Sequence, residues 1–334
     1  MQQQKKYRFL HIAFHIHQQL FFEGLIISGF YNHHRVFELL QNEDPMRNPN
    51  YYGKFGYWHQ EKGKLDQYDI IFVGISRPEL QGNLMSLIRE ELGVNSKTKV
   101  VANVDYAVEM WPMAFNATHL RHELDKADYI FAAEKSMVSH LKALMNNRTI
   151  HYFSHPTDLR TLKKLGQPIE GRQNRNLAII HRYDNNWMDM YIATKDLKGI
   201  ETYAVLLDPG IQVECLPYFQ FTVNGLPYPQ FMEMLSHSRI CMDSYHKMHS
   251  YGRMPVECAC LRVPIVSTDW VTSATEIWPE ITVPAGDIFA QREMAQRLID
   301  DPAFYKTVTD LAYDRVEACG YEASMHNFLK MLES

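Results

Sequence analysis

Glu257 stands inside the stretch "SYGRMPVECACLRVPIVSTD" (250–269), beside a Gly-Arg pair at the mouth of an otherwise apolar run. Carboxylates and guanidiniums are costly to place near a core unless something binds them. Proline is tolerated in the first turn of a helix, where its missing amide hydrogen would have no partner, so the run predicts a helix from about Pro255. A helix start offers free backbone amides and the positive end of a dipole. Gly252 lets a ligand approach the backbone, and Arg253 adds a planar fork of donors suited to phosphate. One turn in, Glu257 can accept hydrogen bonds from vicinal hydroxyls such as those of a ribose. Together these residue types describe a nucleotide-diphosphate site. The plainer alternative makes Glu257 a charge complementing the helix dipole, with Cys258 and Cys260 packing as small hydrophobes.

Such a site needs elements that bring a strand end and a helix start together. Short β-rich runs at 7–14, 68–75, 98–104, 128–133 and 149–154 alternate with amphipathic stretches such as "PELQGNLMSLIREEL" and "EKSMVSHLKALMNN". Strand, helix, strand in repetition predicts a parallel sheet with helices on both faces. "HPTDLRTLKKLGQPIEGRQNRN" interrupts the pattern with Pro, Gly and charge, and a second series then follows. Its strands are expected at 177–181, 202–207, near 213–216, 239–244, 263–268 and 281–284, with a helix over "YPQFMEMLSHS" and three helical stretches to the end. The expected division is an N-terminal domain over 1–158, a linker over 159–175 and a C-terminal domain over 176–320, with a last helix at about 321–334 able to pack back on the first domain. Two doubly wound, Rossmann-like α/β domains facing an interdomain cleft are the expected fold, with ligands at the carboxyl ends of the strands.

Composition narrows the function classes. Over 334 residues, 46% are apolar and 22% charged, ample for two real cores, and the net charge of −5 argues against wholesale neutralisation of phosphates on a nucleic acid. Five cysteines without paired metal-type spacing point to reduced thiols and a cytoplasmic protein. No run is long and apolar enough to span a bilayer; "LFFEGLIISGF" is short and broken by Glu23. His11, His15 and His17 share strand parity, but no carboxylate accompanies them, and packing or a polar loop is favoured over a metal site. The Tyr-rich stretch "NYYGKFGYWHQ" is long for a βα connection and is a candidate acceptor surface.

The pattern Tyr251-Gly252, Glu257 and then "CACLRVPIVST" resembles the carboxyl-terminal signature of the retaining GT-B glycosyltransferases of the large family four. "LDKADYIFAAEKSMVSHL", "HYFSHPTDL" and the closing helices from "AGDIFAQREMAQRLIDD" are similar to further pieces of that family in the same order. The resemblance implies a GT-B fold and transfer of a sugar, with retention, from a UDP- or GDP-linked donor to an acceptor hydroxyl, with no metal or other cofactor. It places Glu257 on the donor ribose, Arg182 of "HRYDNN" on the diphosphate, and Ser250, Tyr251 and Gly252 in the donor loop. His249 falls where the family carries its first Glu, and Ser250 where it carries a Gly. The Lys that usually follows the Arg is not evident, and Arg253 is the compensating charge. Beyond the strand "KVVANV", Asp105 and Glu109 lie on the expected acceptor side, with Asp105 a candidate to orient a sugar hydroxyl. Catalytic roles are thus expected of Asp105, His249 and Arg253.

The acceptor is left open between a glycan, a protein, a lipid-linked sugar and a modified nucleobase, the last disfavoured by the acidic net charge. Two other readings stand beside transfer. A nucleotide-sugar epimerase on the same fold needs an acid/base set that no motif supplies. A non-catalytic sugar or nucleotide-sugar binding protein is favoured by His249 in place of a carboxylate.

Overall fold

A computed structural model describes residues 7–13, 31–38, 65–75, 84–91, 93–105, 109, 117–180, 186–206, 217–224 and 226–333. The chain divides into two compact units, residues 1–157 with 321–334, and residues 158–320.

The first unit holds six parallel strands: β1 (Tyr7–Ala13), β2 (Tyr31–Glu38), β3 (Ile70–Ile75), β4 (Lys99–Val104), β5 (Tyr129–Ala132) and β6 (Ile150–Tyr152). Their order is β2-β1-β3-β4-β5-β6. Strands of a parallel sheet covered on both faces read as unbroken apolar runs. "IIFVGI" of β3 is such a run, buried at all six positions. β2 was not anticipated, because "YNHHRVFE" lacks that signature; it pairs with β1 alone, at the sheet edge where polar sequence is tolerated. Helices α1 (Ala117–Leu124) and α2 (Lys135–Leu144) connect the later strands. α2 starts where it does because the Glu134 carboxylate accepts the backbone N–H groups of Ser136, at 2.7 Å, and Met137, at 2.8 Å.

The C-terminal helix Tyr321–Glu333 packs in this unit, its Met325 and Phe328 wholly buried against Ile70, Phe72, Val101, Phe131 and Phe153. The Phe328 ring meets Phe131 edge-on at 5.5 Å and Phe72 at 5.9 Å, and Tyr129 donates its hydroxyl to the Leu332 carbonyl at 2.7 Å. The 163 residues between the two pieces of this unit make one aromatic cluster the anchor of its last element.

In the second unit the strands are β7 (Gln173–Ile180), β8 (Glu201–Leu206), β9 (Phe221–Asn224), β10 (Ser238–Asp243), β11 (Ile265–Thr268) and β12 (Thr282–Val283), all parallel, in the order β12-β11-β10-β7-β8-β9. Helices are α3 (Leu159–Lys163), α4 (Trp187–Thr194), α5 (Tyr228–Ser236), α6 (Met254–Leu261), α7 (Thr272–Ile277), α8 (Ile288–Asp300) and α9 (Pro302–Arg315). Strand order reverses between β7 and β10, so the loops leaving these two strands flank the switch point, where ligands of such sheets bind.

Two expectations are corrected here. Residues 159–175 are no linker: they carry α3, with Leu159 and Leu162 buried, and the first residues of β7. Arg172, whose charge made the segment look solvated, donates to the carbonyls of Leu261 at 2.8 Å and Arg262 at 2.6 Å and to the Tyr305 hydroxyl at 2.8 Å. β7 therefore begins at Gln173 rather than 177. The strand expected near 213–216 lies outside the described residues; the third strand of the series is Phe221–Asn224. Among the described residues, no helix is long and apolar enough to cross a membrane.

Truncating a wholly buried aromatic ring costs about 3–5 kcal/mol. Phe328→Ala is expected to lose that much, read as faster hydrogen exchange of the β3 and β5 amides, while those of β7 and β10 keep their protection. Unchanged exchange in β3 and β5 would show that the C-terminal helix does not stabilise the first unit.

Candidate functional site

The site is built on the end of β10. Ser267 donates its hydroxyl to Asp243 Oδ1 at 2.7 Å, and the Gln291 amide donates to the Asp243 carbonyl at 2.9 Å. The buried Asn186 side chain donates to the carbonyls of Ser244 at 2.7 Å and Ile179 at 3.2 Å, tying the ends of β10 and β7 together at the switch point. Thr268 donates to the Tyr245 carbonyl at 2.8 Å. The loop leaving β10 thus departs from a fixed edge.

Its second half is pinned to the segment after β11. Ser250 N–H donates to the Trp270 carbonyl at 3.0 Å, Thr272 N–H to the Ser250 carbonyl at 2.9 Å and Ser273 N–H to the Tyr251 carbonyl at 2.9 Å. Gly252 follows with φ of 74°, the left-handed region, and a Cβ there would overlap Val271 Cγ1. Ser273 donates its hydroxyl to the Gly252 carbonyl. Tyr251 is buried and directs its hydroxyl to Cys319 Sγ at 3.7 Å.

α6 begins directly after this turn. No side chain caps it, and its first helical bonds run from Val256 and Glu257 N–H to the Arg253 carbonyl, so the amides ahead of them belong to a first turn without intrahelical acceptors. Trp278, fully buried, donates its indole N–H to the Pro255 carbonyl at 2.9 Å and fixes the helix start. Arg253 is exposed at this terminus.

Glu257 is only 6% exposed. Tyr228, the first residue of α5, donates its hydroxyl to Glu257 Oε1 at 2.9 Å although the residue as a whole is 52% exposed. Burial pushes the Glu257 carboxyl above its ordinary range, against the opposing pull of the Arg253 charge and the Tyr228 hydrogen bond. The Tyr228 hydroxyl is pushed up too, by burial first and then by the Glu257 charge. Beneath them burial raises the thiols of Cys258 and Cys260, the latter to about 12, so both are neutral packing groups.

His249, Ser250, Tyr251, Gly252, Arg253 and Glu257 therefore form one continuous turn and helix start. Arg182 lies outside the described residues, as do His15, His17 and the stretch 50–60. Asp105 belongs to the first unit, just past β4, where its N–H donates to the Ile75 carbonyl at 2.8 Å and its Oδ1 lies 3.0 Å from His155 Nε2. Four partners were not anticipated: Tyr228 on Glu257; Trp270, stacked on the His249 ring at 4.4 Å and 13°; His155 on Asp105; and His246, whose Nδ1 lies 2.8 Å from Asp189 Oδ2. Each pair joins residues at least 21 apart in sequence, beyond the reach of local spacing. Among the described residues, no group of three His, Cys, Asp or Glu side chains could hold a metal ion.

No family model matches the sequence, and no curated protein does. Solved structures do match. Sucrose-phosphate synthase from Thermosynechococcus elongatus superimposes with a TM-score of 0.72 at 14% identity, covering 98% of each chain. HepE of Anabaena, determined with UDP and glucose, gives 0.68 at 10% identity over 98% of this chain and 100% of that one. An alpha-glucosyltransferase, determined with UDP-glucose and DNA containing an abasic site, gives 0.70 at 12% identity over 98% of this chain and 100% of that one.

Two predictions follow from the geometry. Gly252→Ala forces a left-handed backbone and a clash with Val271, expected to cost about 2–4 kcal/mol and to lower the melting temperature by roughly 5–10 °C; an unchanged melting temperature would contradict the described turn. Glu257→Gln removes a buried charge while keeping an acceptor for Tyr228. Because the folded-state pKa of Glu257 is raised, its ionisation costs nothing below the unfolded value of about 4.3 and its full penalty only above the folded value. The variant's melting temperature is therefore expected to gain on the wild type as pH rises above that unfolded value, and a constant offset would show that Glu257 titrates normally.

Two six-stranded parallel α/β units in this order, superimposing over nearly their whole length on glycosyltransferases of this build, give the chain the GT-B fold.

Proposed function

We propose that the chain is a glycosyltransferase that moves a sugar from a nucleotide-diphosphate donor, UDP-linked in the first instance, to an acceptor hydroxyl. The observation that carries this reading is the uncapped start of α6 at the β7/β10 switch point, with a buried carboxylate one turn inside it. Structures of HepE and of the alpha-glucosyltransferase were determined with UDP or UDP-glucose, which supports UDP over GDP as the nucleotide.

In this reading the ribose hydroxyls donate to Glu257, the diphosphate sits at the amides of the first turn, and Arg253 neutralises it. Transfer breaks the bond between the anomeric carbon and the departing phosphate oxygen while the acceptor oxygen bonds to that carbon and gives up its proton to the departing phosphate. Positive charge grows on the sugar and negative charge on the phosphate, so donors already aimed at the diphosphate supply the largest stabilisation. His249 takes the sugar-side position, Ser250 and Tyr251 shape the donor loop, and Arg182 is assigned to the diphosphate. Asp105 is assigned to the acceptor side. Retention of configuration is the stereochemical outcome that the family resemblance supports, and the reading calls for no cofactor besides the donor.

A second reading, a nucleotide-sugar binding protein without turnover, draws support from His249, whose ring stacks flat on Trp270 where the family's signature has a carboxylate. For the acceptor, the likeness to an alpha-glucosyltransferase determined with DNA supports keeping a modified DNA base among the candidates.

The test is calorimetric titration with UDP-, GDP- and ADP-linked sugars, followed by assay of nucleotide release. Binding with slow release of UDP is the expected result; binding without release supports the second reading, and no binding overturns both. Arg253→Ala is expected to lower kcat about 10–100-fold, as loss of one donor to the leaving group does; an unchanged kcat would remove Arg253 from the chemistry.

A further inference from the structure

A carboxylate that must accept hydrogen bonds from two neighbouring hydroxyls works only when ionised and only when aimed. Glu257 is placed against both requirements, since it is 6% exposed and burial favours its neutral form. What opposes this is local. Tyr228 reaches across from the start of α5 with its hydroxyl 2.9 Å from Oε1, while the residue as a whole stays 52% exposed. A tyrosine at a helix start has no packing reason to leave so much of itself in water and turn its hydroxyl onto a buried acid; phenylalanine would serve for packing alone.

We infer that Tyr228 is a positioning residue of the donor site, whose hydroxyl holds the Glu257 carboxylate ionised and aimed and thereby sets the pH below which donor binding is lost. The inference rests on the reading of Glu257 as the ribose acceptor. Spacing gives no hint of it, because the two residues are 29 apart.

Among the described residues, Tyr228 is the one neutral donor acting on Glu257. Arg253, the residue just before α6, acts through its charge. The thiols of Cys258 and Cys260 are neutral at physiological pH. Asp243 and Cys241 from β10 act on Cys258, and Lys163 from α3, with Cys319 and Glu317, acts on Cys260; none of these is a cause of the Glu257 shift. Removing the Tyr228 hydroxyl removes a bond that the ionised carboxylate accepts, so the carboxyl pKa must rise.

The experiment is Tyr228→Phe with two readouts. One is the titration of the Glu257 carboxyl by carbon-13 NMR on the ligand-free protein, with Glu257→Gln assigning the signal. The other is the affinity for UDP from about pH 5 to 8. Expected is an upward move of the Glu257 titration, with the acid limb of UDP binding moving alongside, so that affinity falls up to roughly tenfold on that limb and much less at the alkaline end of the range. In the Glu257→Gln background the same substitution is expected to leave the pH profile unchanged. A Glu257 titration that stays in place, a loss of affinity equal at every pH, or a shifted limb in the Glu257→Gln background overturns the inference. Should the carboxyl titration move while the wild type binds no UDP at any pH, the control of Glu257 by Tyr228 stands and the nucleotide-sugar reading fails.

Discussion

Glu257 is buried one turn inside α6, and a carboxylate taken out of water at such a place costs several kcal/mol unless hydrogen bonds and charge offset it. The surroundings are arranged to meet that requirement. Tyr228 supplies a hydrogen bond, Arg253 supplies charge, and the first turn of α6 adds the positive end of a helix dipole. Residual destabilisation is a familiar property of functional sites, where a group is held in a state it would not choose so that a ligand can complete its bonding.

Holding this carboxylate in place requires a rigid edge to the sheet. Asn186 bridges β7 and β10, Gln291 and Ser267 fix Asp243, and Trp278 fixes Pro255, so the loop from 244 to 253 is bounded by side-chain bonds at both ends. Within it the turn at Gly252 admits no side chain, which puts bare backbone at the helix start. Fold and site are thus one construction: strand reversal opens the switch point, and the loop leaving β10 fills it with amides, a guanidinium and a carboxylate.

Much of this was legible because apolar runs and turn chemistry are local signals. The buried run of β3 and the start of α6 near Pro255 could be read directly. The polar edge strand β2 could not, since it lacks the run that marks a strand covered on both faces. Charge misled at 159–175, where Arg172 is spent on five internal hydrogen bonds rather than on solvent. In the second unit, Gly252, Arg253 and Glu257 were singled out by their residue types at an expected helix start and His249, Ser250 and Tyr251 by the family resemblance, whereas Tyr228 and Trp270 there, and His155 in the first unit, meet their partners only through tertiary folding.

The most direct test of the central claim is a crystal structure of the chain with UDP. The account predicts the ribose hydroxyls on the Glu257 carboxylate and the diphosphate at the amides of Gly252, Arg253 and Met254. A nucleotide bound elsewhere, with Glu257 contacted by Tyr228 alone, would contradict it.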